Sequence, residues 1–161
     1  MMTGFGCYGV SDYSFFDEWE NKTRYLASTS GRGDGRLRIG NAQINDLRSE
    51  PRFQNDVMYQ GFFESHSWTN GEGAKLCRGD SGGPVYSSAS VKNPNSKRRI
   101  IGVNSGFGAI ASDARPVKIV SKFTDLNEKT ISEFILKYIK DNPSAEICGV
   151  NVQAGSNRCR V

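Results

Sequence analysis

Ser81 stands between an acid and two glycines in Cys77-Arg78-Gly79-Asp80-Ser81-Gly82-Gly83-Pro84. These are the residue types that acyl transfer needs. A serine hydroxyl is a weak nucleophile until its setting activates it. The reaction also needs backbone N–H groups aimed at the oxygen that becomes negative in the tetrahedral intermediate. Gly79 permits backbone angles that a side chain forbids and lets a carbonyl approach closely. The N–H groups of Gly79 and Ser81 are therefore the natural oxyanion donors. Gly82 and Gly83 leave room behind the nucleophile, and Pro84 opens a strand through Val85-Tyr86. An ordinary glycine turn has no need of Asp-Ser between its glycines.

The elements that must hold this turn follow from pattern. Gly4-Phe5-Gly6-Cys7-Tyr8-Gly9 reads as a strand entering a glycine turn, and residues 11–35, polar and turn-rich, read as a long surface loop. Leu37 to Ile44 alternates apolar and polar residues, the period of a half-buried strand. Val57-Met58-Tyr59 with Phe62-Phe63 predicts another strand, and Ser65 to Lys75 a loop with its turn at Asn70-Gly71-Glu72-Gly73. Two further strands follow, over Arg99–Gly106 and Pro116–Val120, separated from Tyr86 by a polar connection at 87–99. Ile131, Phe134, Ile135, Tyr138 and Ile139 make one apolar helical stripe. That helix has a capping box at Asp125 and Glu128, or Asn127 as its cap, and stops at Pro143.

The 161 residues suit one domain, and 18 glycines with 9 Phe and 6 Tyr suit an all-β chain with many turns. The net charge of +4 is mild, and its basic residues are spread along the chain without interleaved aromatics. Lys97-Arg98-Arg99 reads as a solvated hairpin tip, so no nucleic-acid partner is expected. No apolar run approaches the ~20 residues of a membrane helix. One histidine and four cysteines make no zinc site, and no glycine loop opens a helix for phosphate, so neither metal nor cofactor is expected. Arg32-Gly33-Asp34 is an integrin-type tripeptide of the kind glycine-rich loops produce by chance, and Asn21-Lys22-Thr23 fits a glycosylation acceptor. Four cysteines permit three pairings. Cys148 and Cys159 enclose a short polar loop and read as a local staple, which leaves Cys7 for Cys77. Paired cysteines imply an oxidising compartment.

The octapeptide closely resembles the nucleophile segment of the chymotrypsin/trypsin family of serine endopeptidases. Gly4-Phe5-Gly6-Cys7 resembles the G-W-G stretch that begins that family's second barrel, in the variant with a cysteine directly after it. Gly102-Val103-Asn104-Ser105-Gly106 resembles the strand G-I-V-S-W-G, with Gly106 where tryptophan is usual and Phe107 where glycine is usual. The resemblance spans roughly residues 3–140. It implies an all-β fold, the antiparallel Greek-key six-stranded second barrel with a C-terminal α-helix over residues 1–142, and a disulfide-stapled tail over 143–161.

The resemblance also implies a function, which is peptide-bond hydrolysis through an acyl-enzyme on a protein or peptide substrate. Ser81 would be the nucleophile, and the N–H groups of Gly79 and Ser81 the oxyanion hole. Asp80 would pair with an activating N-terminal ammonium, and Lys75, Arg78, Ser105 and Phe107 would meet the substrate. It supports the Cys7–Cys77 bridge. Counting six residues back from Ser81 puts Lys75 at the base of the specificity pocket, where an ammonium would favour an acidic side chain. The family takes its base and its aspartate from the first barrel. His66, in Glu64-Ser65-His66-Ser67-Trp68, lacks that context and reads as a loop residue. The expectation is a C-terminal half, inactive alone, with a signal peptide and the His/Asp-bearing barrel upstream, secreted or periplasmic. The alternative is a non-catalytic homologue that binds proteins through the same cleft.

Overall fold

The computed structural model describes residues 1–6, 9–30, 36–45, 61–88, 90–93 and 98–153. Seven strands form one curled antiparallel half-barrel: β1 (Met2–Gly4), β4 (Arg38–Gly40), β5 (Ile44–Asn45), β6 (Phe62–Trp68), β7 (Pro84–Ser87), β8 (Arg99–Ala109) and β9 (Lys118–Asp125). Their order is β4-β1-β7-β8-β9-β6-β5. Strands β2 (Gly9–Asp17) and β3 (Lys22–Ser30) make a separate hairpin, and α1 (Lys129–Asp141) follows the sheet. Where the sequence implied a six-stranded barrel, the sheet has seven strands and ends at β4 and β5.

The core forms where the alternating strands turn their apolar residues to one face. Met2, Phe63, Leu76, Val85 and Phe123 make one buried cluster, with Ile101 and Phe107 packed against it. Phe63 and Phe123 are cross-strand partners whose rings stack at 5.1 Å. Each such side chain contributes about 1.5–3 kcal/mol on burial. Strand β6 runs on through His66 to Trp68, inside the stretch expected to be a loop. Its inward positions hold Ser65 and Ser67, both fully buried, where an alternating strand usually has apolar residues. Ser65 lies directly opposite Ser121, also fully buried, so these small side chains fill a tight part of the interior.

The largest departure from the sequence reading is residues 9–30, a regular hairpin rather than a loop. Its two strands pair from Gly9↔Ser30 to Asp17↔Lys22, and Asn21, at φ 50, closes the turn. Asp17 supports that turn by accepting from the N–H groups of Trp19 and Glu20, and these bonds hold its carboxyl below its ordinary pKa. The helix is capped three residues later than the Asp125 capping box implies, and one later than Asn127. Glu128 is the N-cap and accepts from Ile131 N at 3.2 Å, while Asp125 accepts from Asn127 N. Its stripe is split: Ile131, Ile135 and Ile139 are half-buried, whereas Phe134 and Tyr138 face solvent. Arg32-Gly33-Asp34, Val57-Met58-Tyr59, Lys97, Cys7 and Cys159 lie outside the described residues.

Candidate active site

The turn that carries Ser81 is held from three sides. Gly79 has φ +97, which a side chain would resist. The turn closes through Asp80 N to Cys77 O at 3.1 Å and Gly83 N to Asp80 O at 3.1 Å. The Asp80 carboxylate is shared between backbone donors: Oδ1 accepts from Gly6 N at 2.5 Å and Oδ2 from Cys77 N at 2.8 Å. Charge-assisted bonds of this kind are about twice as strong as neutral ones. The carboxylate sits so close to β1 that a Cβ on Gly4 would fall 1.9 Å from Oδ1. Asp80 therefore braces the turn against the first strand.

Asn104 is the third brace, and sequence reasoning missed it. It is 2% exposed, and its Nδ2 donates to Thr3 O at 2.8 Å and to Asp80 O at 3.0 Å. Its backbone exchanges bonds with the turn as well, Gly82 N to Asn104 O at 2.9 Å and Asn104 N to Gly83 O at 2.8 Å. The available signal was an amide side chain in an otherwise apolar strand, Ile100-Ile101-Gly102-Val103-Asn104. With the turn so held, Ser81 and Gly79 face solvent. Neither the Ser81 hydroxyl nor the N–H groups of Gly79 and Ser81 have a hydrogen-bond partner among the described residues. Two open donors beside an exposed hydroxyl are the components of an oxyanion site.

A cavity of about 460 Å³ opens beside Ser81. One wall is Leu76, Cys77 and Arg78, and another is Gly106 to Ala109 on β8. Leu26 and Ala27 of β3 complete it, so the unforeseen hairpin is part of the site. Of the four expected substrate contacts, Arg78 and Phe107 line this cavity. Ser105 is exposed at a bulge where β8 has one residue more than β9, between Asn104↔Phe123 and Gly106↔Lys122, and does not line it. Lys75 does not line it either. Its Nζ donates to Trp68 O at 3.1 Å, its burial holds the ammonium below the ordinary lysine pKa, and it borders a different cavity with Met2, Gly40 and Asp80.

His66 is engaged by neighbours on β5 and β6. Asn45 Nδ2 and His66 Nδ1 are hydrogen-bonded at 2.9 Å, and His66 Nε2 lies 3.5 Å from a Glu64 carboxylate oxygen. That Asn–His–Glu set belongs to β5 and β6, and His66 does not line the Ser81 cavity. Of the expected bridges, Cys77 is buried next to the turn and Cys148 pairs in backbone with Val152, but Cys7 and Cys159 lie outside the described residues. Among the described residues no cluster of His, Cys, Asp and Glu is placed to hold a metal ion, and no helix is long and apolar enough to cross a membrane. No protein-family model, curated protein or solved structure matches the chain.

Proposed function

We propose that this chain carries the nucleophile and oxyanion hole of a trypsin-like serine endopeptidase, as a second barrel completed by a base supplied from another segment. One observation carries the reading: the braced turn presents the Ser81 hydroxyl beside two open N–H donors, at the mouth of a cavity. In the proposed reaction Ser81 Oγ attacks the peptide carbonyl and its proton passes to an imidazole base. The N–H groups of Gly79 and Ser81 hold the negative oxygen, and the C–N bond breaks as the base protonates the leaving amine. Water then hydrolyses the acyl ester by the same route in reverse. Asp80, already bound by two backbone donors, keeps the two N–H groups aligned. In the complete enzyme its carboxylate is also where an activating ammonium would dock.

The base is assigned elsewhere because His66 is engaged by Asn45 and Glu64. A chain with the serine and the hole but no base retains only weak catalysis. The test is labelling with a serine-reactive fluorophosphonate, on the protein purified from the cells that make it. One probe per molecule, abolished by Ser81→Ala, is the expected result. A protein that stays unlabelled yet binds peptides would displace the enzyme reading in favour of a binding module built on the same cleft.

A further inference from the structure

We propose that the cavity beside Ser81 receives the substrate side chain attached to the attacked carbonyl carbon's own residue, and that it selects an apolar one of leucine or phenylalanine size. The inference rests on Ser81 as nucleophile and names the substrate class of that site. Cys77, Arg78 and Ser81 belong both to the turn and to the cavity wall. A carbonyl held by the N–H groups of Gly79 and Ser81 therefore directs its neighbouring side chain into this space. The volume of about 460 Å³ is in the range of small-ligand sites and admits a leucine or a phenyl ring.

The walls set the chemistry. Leu76 is 3% exposed and belongs to the core cluster, Phe107 packs against that cluster, and Leu26, Ala27 and Ala109 add aliphatic surface. Lysine at position 75 suggested an acidic preference from its place in the sequence, but its ammonium is bonded to Trp68 O and borders the other cavity. Among the described residues, Arg78 is the one formal charge on the lining of the Ser81 cavity, and its residue is exposed to solvent. A carboxylate or guanidinium placed among Leu26, Leu76 and Phe107 would lose its water without gaining a buried partner. An apolar side chain is stabilised by the same transfer.

The test uses peptides of the form succinyl-Ala-Ala-Pro-X with a free C-terminal carboxylate, X being Leu, Phe, Glu or Arg. Binding to the purified protein is measured by titration calorimetry, which needs no turnover. Leu and Phe should bind roughly tenfold more tightly than Glu and Arg, equivalent to about 1.4 kcal/mol. Leu26→Ala should weaken Leu and Phe severalfold, and Leu26→Asp should move the preference to Arg by setting a carboxylate on the wall. Leu26 lies on the hairpin outside the core cluster, and circular dichroism checks that both variants fold. Tightest binding of Glu or Arg, equal binding of all four, or no binding overturns the proposal. Fluorophosphonate labelling of Ser81 on the same sample separates the two readings. A labelled serine without the apolar preference sinks the pocket assignment alone, and an apolar preference with an unlabelled serine sinks the nucleophile alone.

Discussion

Asn104 shows how much of the site depends on a residue that does no chemistry. Its amide nitrogen has two carbonyl acceptors, one on β1 and one on the Ser81 turn, inside a position 2% exposed. Asn104→Ala leaves both carbonyls without this donor and opens a gap between β8 and the turn. The expected loss is about 2–3 kcal/mol of stability, read as a shift in denaturant midpoint at unchanged slope. Asn104→Asp should cost more, because a carboxylate would face those carbonyls. At this scale the sequence was informative about backbone chemistry and poor on side-chain direction. That Gly79, Asp80 and Ser81 form a tight turn could be read from type and spacing, because such a turn leaves few conformations. Lys75 could not, since its flexible stem reaches either side of Leu76, and spacing along the chain does not choose between them.

Hairpin β2–β3 and strand β6 escaped the sequence for two different physical reasons. Strand β6 has its inward slots beyond Phe63 filled by Ser65 and Ser67, so its hydrophobic alternation is erased and it reads as a polar loop. The hairpin is held by backbone pairing and by charges instead of a core. Tyr25 and Ser112 exchange two backbone bonds, at 2.8 and 3.0 Å. Arg24 donates to Ala111 O and pairs with Asp17, Glu20 and Asp113, while Lys22 reaches Glu20 and Asp113. Arg115 pairs with Asp12 at 2.7 Å and covers the ring of Tyr25. Exposed pairs contribute little singly, but these ties converge on one connection between β8 and β9. Arg24→Ala should therefore speed amide hydrogen exchange at Tyr25 and Ser112 roughly fivefold, about 1 kcal/mol of local stability. Exchange in β9 should stay at the wild-type rate, and a uniform acceleration across the sheet would contradict a local latch. The helix and strands β8 and β9 were legible because their apolar periods survive in the fold. The half-buried isoleucines of α1 carry its period, although its aromatics turn outward.

For the molecule as a whole, the sheet is a half-barrel bounded among the described residues by β4, a short strand of three residues, and by β5. Short edges limit strand-to-strand pairing between copies. Apolar surface is exposed near one end all the same. Leu37 and Ile39 are 57% and 42% exposed, and Phe5, 53% exposed, directly follows β1, the partner of β4. Grouped apolar surface of this kind favours association. Size-exclusion chromatography with light scattering should show a mass that rises with concentration, and Leu37→Lys with Ile39→Lys should return it to the monomer. A concentration-independent monomer in the unsubstituted protein would contradict this. The half-barrel itself was the part of the architecture closest to the sequence reading, because strand periods give the β class, while closure depends on pairings that local pattern does not encode.

The bracing of the turn has a kinetic consequence. Asp80 is tied to Gly6 across 74 positions, and Asn104 to Thr3 across 101. Contacts so distant along the chain form only after the intervening segments have been brought together, and they close slowly. During synthesis the turn would emerge from the ribosome well before Asn104 does, and until then it would lack its brace. The braced arrangement of Ser81 is thus a late product of folding. A chain that is collapsed but not fully paired would hold Ser81 without its braced turn, so the hydrolysis proposed above would wait until the sheet is nearly complete.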